Sequence, residues 1–166
     1  MAPPDASTFL LMRLAVRLTT VLLAVVGVSG LVTLSTPDVL RDPPAYAGNA
    51  LGTYLVLLLV AIPLVAIAMR RATRGSLAAR FVWLGGVGYV LYNAILTSFS
   101  LRFNELFLLY VATLSLGVWS LVAVLGTFDA GELPRRFPSR FPVRLVGGYL
   151  MATALAFAFV WLADVV

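Results

Sequence analysis

The side chains able to do chemistry are few and unevenly placed. Seven carboxylates (Asp5, Asp38, Asp42, Glu105, Asp129, Glu132 and Asp164) stand against twelve arginines, and the 166 residues include no histidine, cysteine or lysine. Without cysteine there is no disulfide, thiolate nucleophile, iron–sulfur cluster or Cys-based zinc site. Without histidine, His-ligated metals, bis-histidine haem and Ser-His-Asp arrangements are excluded. Without lysine, so is a Schiff base. General acid–base and glycosidase chemistry want a facing pair of carboxylates, and a metal wants several convergent ligands. No acid lies deep in an apolar stretch, and no two face each other along one helix. The expectation is therefore no catalytic residue, no metal and no cofactor, with a membrane enzyme the third-ranked reading. Asp38 and Asp42 lie four apart, and pairing with Arg41 is expected of them rather than cation binding.

The remaining candidates are neutral polar and aromatic groups. Tyr89 and Asn93 are four apart, Thr97 is one turn further, and Tyr92 stands beside them. Arg102, Asn104 and Glu105 follow, then Tyr110, with Tyr54 expected at similar depth. A carboxamide at Asn93 sits about six residues inside its apolar segment, roughly 9 Å at 1.5 Å per residue, and there it needs a hydrogen-bond partner. Two readings stand side by side. In the first, Asn93 and the tyrosines form an interhelical polar cluster, Asn104 caps the following helix, and Arg102 is solvated or loosely paired with Glu105. In the second, the same residues line an outward-facing pocket for a small molecule or lipid, as in a binding or permease-like protein.

The elements that carry these residues follow from composition. Hydrophobic residues make up 61% of the chain, charged residues only 11%, and the mean hydropathy is +1.02. Soluble domains carry about 25% charged residues, and a soluble globule of this size could not cover its surface with so little polarity. A soluble enzyme, a nucleic-acid-binding domain and a disordered chain are excluded. Five apolar runs reach the ~20 residues that a spanning helix needs: about Leu14–Leu34, Ala50–Met69, Phe81–Phe99, Leu106–Phe128 and Leu145–Val166. They are continuous rather than alternating, which predicts helices and not barrel strands. The fold expected is an all-α integral membrane bundle of five transmembrane helices forming one domain over residues 1–166.

Arginines set the threading. Arg13 and Arg17 precede or enter the first run; Arg70, Arg71, Arg74 and Arg80 follow the second; Arg135, Arg136, Arg140 and Arg144 follow the fourth. Only Arg41 and Arg102 fall in the other two connections. The positive-inside rule then predicts a cytoplasmic N-terminus and an outer C-terminus, in a cell membrane. The eight arginines of the two long basic connections would face headgroups, and the repeat Arg136-Phe137-Pro138-Ser139 and Arg140-Phe141-Pro142-Val143 would lie along that interface. A signal-peptide reading of Arg13–Gly30 is outweighed by the apolar run continuing to Leu34.

Packing features complete the picture. The connection Ser35–Asn49 reads as an ordered turn rich in proline, and Pro63 should kink the second helix. Trp83 and Trp161 suit an interfacial belt, and Trp119 a packing position. Gly85, Gly86 and Gly88 offer one thin surface. Gly148, Ala152 and Ala156 offer another, through which the protein could meet itself or another membrane protein. The leading functional expectation is thus a structural or accessory membrane subunit whose surroundings are lipid, with no nucleic acid.

From Leu91 to Ala112 the chain reads LYNAILTSFSLRFNELFLLYVA. This resembles a family of uncharacterised prokaryotic multipass membrane proteins with a YNY-x-x-Y…FN-x-LFLLYVA pattern, matched here by Tyr92, Asn93, Phe103, Asn104, Leu106, Phe107 and Tyr110. Arg71–Leu84 looks similar to the family's basic loop and following helix. Ala94 and Thr97 stand where the family has tyrosines, and Ser100 where it has glycine. The resemblance implies a membrane bundle and carries no activity. It also implies a chain shorter than members that continue past the fifth helix.

Overall fold

A computed structural model describes residues 6–129, 131 and 142–163, with the side chains of 6–8 and 161 left aside. Five helices are present: α1 Ala6–Ser35, α2 Pro44–Thr73, α3 Leu77–Ser100, α4 Phe107–Leu125 and α5 Val143–Ala163. Among the described residues there is no strand. All five are long and apolar enough to cross a membrane. The chain forms two compact units divided between Phe128 and Asp129, the first holding α1–α4 and the second α5.

The first three helices overrun the apolar segments on which they were predicted and α4 falls short of its own, because hydropathy marks where hydrocarbon ends and not where a helix ends. α1 begins at Ala6 and carries Arg13 and Arg17 inside it, and the guanidinium of Arg13 lies 4.3 Å from the centre of the Phe9 ring. α2 begins at Pro44 rather than near Ala50, since proline at the first helical position has its φ already set and loses no needed N–H. The predicted turn over Ser35–Asn49 therefore shrinks to Thr36–Pro43, with a 3₁₀ turn at Pro37–Val39. α3 begins at Leu77 and not Phe81, because Ser76 caps it by accepting the Ala79 N–H at 3.3 Å. α4 ends at Leu125, and Val143 starts α5.

Pro63 sits in an unbroken helix. The residues just before it, Leu57–Ala61, form a π turn, and the Ile62 N–H reaches back to the Leu57 carbonyl. The wider turn takes up the proline ring and its missing donor. Between α2 and α3 the chain reverses in three residues. Gly75 takes φ +92°, its N–H donates to the Ala72 carbonyl, and the Ser76 N–H donates to the Arg71 carbonyl. This is a Schellman ending, for which glycine supplies the left-handed residue.

Within the first unit each helix packs on its sequence neighbour, and α1 also packs on α4, so the four close into a ring. Leu22, Val26, Val65, Val87 and Val124 are fully buried at its centre. Trp83, expected at an interface, is instead a core residue with no exposure, and its Nε1–H donates to Thr19 Oγ1 at 3.1 Å. Trp119, expected to pack, points outward and is 63% exposed. Leu59, Phe99 and Leu108 share that outer surface, as apolar side chains do when the solvent is lipid. Of the predicted glycine surface only Gly86 is in close contact, its Cβ position lying 2.4 Å from Val65 Cγ2; Gly85 and Gly88 face open space. Gly30 against Leu58 and Tyr54, and Gly117 against Leu91, are further close approaches, where an added Cβ would meet its neighbour at 3.1 Å.

In the second unit α5 is a single helix with exposed side chains, and the Gly148 Cβ position meets nothing within 4 Å. Arg144 lies exposed in its first turn. Arg135, Arg136 and Arg140, most of the Arg-Phe-Pro repeat, and the side chain of Trp161 fall outside the described residues.

Candidate functional site

One group of polar residues of the four-helix ring stands at the end formed by Thr36–Pro43 and Leu101–Leu106. At its surface Arg41 pairs with Glu105. The expected partners were Asp38 and Asp42 for Arg41, with Arg102 solvated or loosely paired with Glu105. The fold exchanges them, because the two connections lie against each other. Asp42 instead accepts the backbone N–H of Arg102 at 3.1 Å, and Arg102 Nη1 donates to the Arg41 carbonyl at 3.4 Å. These groups are largely exposed, so the pair is a weak latch worth about 0–1 kcal/mol.

Beneath the latch lies a buried set. Asn104 Oδ1 accepts the Leu106 N–H at 2.9 Å, closing the start of α4 as a cap should, and its Nδ2 donates to Tyr110 Oη at 3.4 Å. Tyr54 and Thr33 stand beside Tyr110. Tyr54, Tyr110, Asn104 and Thr33 are each at most 3% exposed. This set gathers side chains of α1, α2, α4 and the loop before α4. Sequence reasoning named three of its members and missed Thr33, which an antiparallel placement of α1 on α2 brings to the depth of Tyr54.

Asn93 lies one layer deeper and is buried, but its amide turns to its own helix, donating to the Tyr89 carbonyl at 2.9 Å. Thr97 does likewise toward the Asn93 carbonyl at 3.0 Å. Tyr89 and Tyr92 are 41% and 47% exposed, so their rings stand apart from the buried set. Beside Asn93 a small cavity is lined by Val26, Tyr54, Leu57, Val90, Ala94, Thr97 and Thr113, with room for the centre of about one water molecule.

The opposite end is cationic. Arg13 and Arg17 on α1, Arg70 and Arg71 on α2, Arg74 in the turn and Arg80 on α3 gather there, whereas the three acids of residues 6–128 (Asp38, Asp42 and Glu105) are all at the polar end. Arg80 Nη1 donates to the Thr127 carbonyl at 2.8 Å, with its guanidinium carbon 5.7 Å from the Phe128 ring centre. A cation there satisfies a carbonyl left over at the end of α4. Among the described residues no group of three or more carboxylates could hold a metal.

Compared with known proteins, the chain matches no family model, no curated protein and no solved structure. The likeness over Leu91–Ala112 gains no support from these comparisons.

Proposed function

We propose that the protein is a structural or accessory subunit of a cell membrane, threaded five times, with its N-terminus in the cytoplasm and its C-terminus outside. The observation that carries this reading is the state of the bundle interior. Asn104 donates to Tyr110, Asn93 and Thr97 donate to carbonyls of their own helix, Thr33 donates to the Ser29 carbonyl, and the cavity beside them accommodates about one water. A bundle whose polar set is engaged within the chain serves as a scaffold. Its outward apolar faces and the Gly148, Ala152 and Ala156 stripe of α5 are then the surfaces for a neighbouring membrane protein or a second copy.

The segregation of six arginines from the three acids of residues 6–128 supports the threading. Because the chain has no cysteine, single cysteines report on it without a background. Thr73→Cys and Ser139→Cys should resist an impermeant thiol reagent in intact cells, while Thr36→Cys should react. The reverse pattern would invert the protein. The subunit role is read by native mass spectrometry in mild detergent. A stoichiometric protein partner, or a homo-oligomer, that is lost on Ala152→Leu supports it. A monomer that retains a small molecule and loses it on Asn93→Leu would replace it with the outward-pocket reading, which the cavity beside Asn93 alone favours.

A further inference from the structure

At the arginine-rich end, α2 and α3 part over a groove that opens to the outside of the bundle. Its floor is Ala68 and Ala79, both buried, and its walls are Leu64, Ile67 and Val82, each about half exposed. Small side chains below and large ones beside make a trough rather than a flat face. Leu64, Ile67, Ala68 and Arg71 fall three to four residues apart, so one face of α2 carries the trough and ends it with a cation. Arg71 and Ser76 close the head of the groove. The Arg71 side chain makes no hydrogen bond or ion pair among the described residues. The Ser76 hydroxyl accepts the Ala79 N–H and keeps its own O–H for a second partner.

An apolar trough that runs into a guanidinium and a hydroxyl fits a molecule with a long hydrocarbon chain and an anionic head. In a membrane a trough of this kind must be filled, because its lining otherwise loses dispersion contacts on one side. Among residues 6–128 the acids Asp38, Asp42 and Glu105 all lie at the far end from Arg71. We propose that the groove seats one anionic phospholipid, its acyl chain on Ala68 and Ala79 and its phosphate held by Arg71 and Ser76. Guanidinium offers a phosphate two parallel donors, and a basic pocket between spanning helices is where an anionic headgroup gains most. The proposal rests on the membrane reading above but not on which side faces the cytoplasm.

The test is made on the purified full chain in mild detergent, titrated with phosphatidylglycerol or with phosphatidylcholine of the same acyl chains, counting bound lipids by native mass spectrometry. The first phosphatidylglycerol should bind about fivefold more tightly than phosphatidylcholine, the ratio for about 1 kcal/mol per basic group. Arg71→Gln should abolish that preference. Ala78→Phe, at an exposed position lining the groove, should weaken the first site for both lipids without changing charge. Arg17→Gln removes a cation from the same end without touching the groove and should leave the preference intact. Equal binding of the two lipids overturns the proposal, as does a preference that survives Arg71→Gln. An effect of Arg17→Gln as large as that of Arg71→Gln also overturns it, since the attraction would then be diffuse. Thermal midpoints near that of the parent protein confirm that the exposed replacements fold. Failure here leaves the cysteine-labelling pattern standing, and the reverse also holds.

Discussion

Three glycines within four residues of α3 should respond in opposite ways to the same replacement. Gly86→Ala places a methyl carbon 2.4 Å from Val65 Cγ2, well inside the roughly 3.5–4.0 Å of a normal carbon contact. Val65 is fully buried and β-branched, so it is held in one rotamer and cannot swing aside. Forcing a methyl into such a site costs about 1–3 kcal/mol. Gly85→Ala and Gly88→Ala meet nothing within 4 Å. All three replacements share the gain of about 0.5–1 kcal/mol from removing a helical glycine. Subtracting the Gly85→Ala effect from the Gly86→Ala effect cancels that gain and leaves the packing cost, about 1–3 kcal/mol of destabilisation. The measurement is reversible unfolding of the purified protein in mixed micelles of rising SDS content, followed by far-ultraviolet circular dichroism. In a Val65→Ala background the obstructing carbon is gone, and Gly86→Ala should no longer cost anything. A difference between Gly86→Ala and Gly85→Ala below about 0.5 kcal/mol, the usual scatter of independent effects, would refute the argument.

The same unfolding assay checks three further expectations. Thr19→Val strands the buried Trp83 Nε1–H and should cost about 1–3 kcal/mol, but close to nothing when Trp83→Phe has already removed the donor. Asn104→Ala loses the cap on the Leu106 N–H and the bond to Tyr110, for about 1–2 kcal/mol; Asn104→Asp keeps the capping oxygen and should recover most of it. Ser120 is fully buried on α4 and its hydroxyl has no hydrogen-bond partner among the described residues, so Ser120→Ala should stabilise the protein by up to about 1 kcal/mol.

How much of this was legible in the sequence depends on the physical signal behind each feature. The five helices were readable because hydrocarbon tolerates no other continuous backbone, so apolar length alone identifies them. Their ends were not. Pro44 and Ser76 start helices by local dihedral preference and capping, which hydropathy does not register. The roles of Trp83 and Trp119 came out exchanged because position along a helix fixes depth but not facing. Which side is inward depends on where α1 lies, and Thr19 is 64 residues away from Trp83. The glycines of α3 show the same gap, since spacing lists the small residues but only the approach of Val65 selects Gly86. In the polar set, Tyr54, Asn104 and Tyr110 were visible as polar groups at a common depth. The separation of Tyr89 and Tyr92 from them follows from their rings standing on the outer side of α3 while Asn93 turns to its own backbone.

The contact between α1 and α4 has a consequence for biosynthesis. On the membrane reading proposed above, the first helix would enter the bilayer while its eventual neighbour is still untranslated, some seventy residues downstream, and would wait there alone. It can do so because Thr20, Ser29 and Thr33 each hand their hydroxyl proton to the carbonyl four residues back, at 2.8–2.9 Å. Those polar atoms are thereby satisfied before any partner arrives. The last-made member of the ring then finds a waiting surface already free of hydrogen-bonding debts, and closure is left to shape.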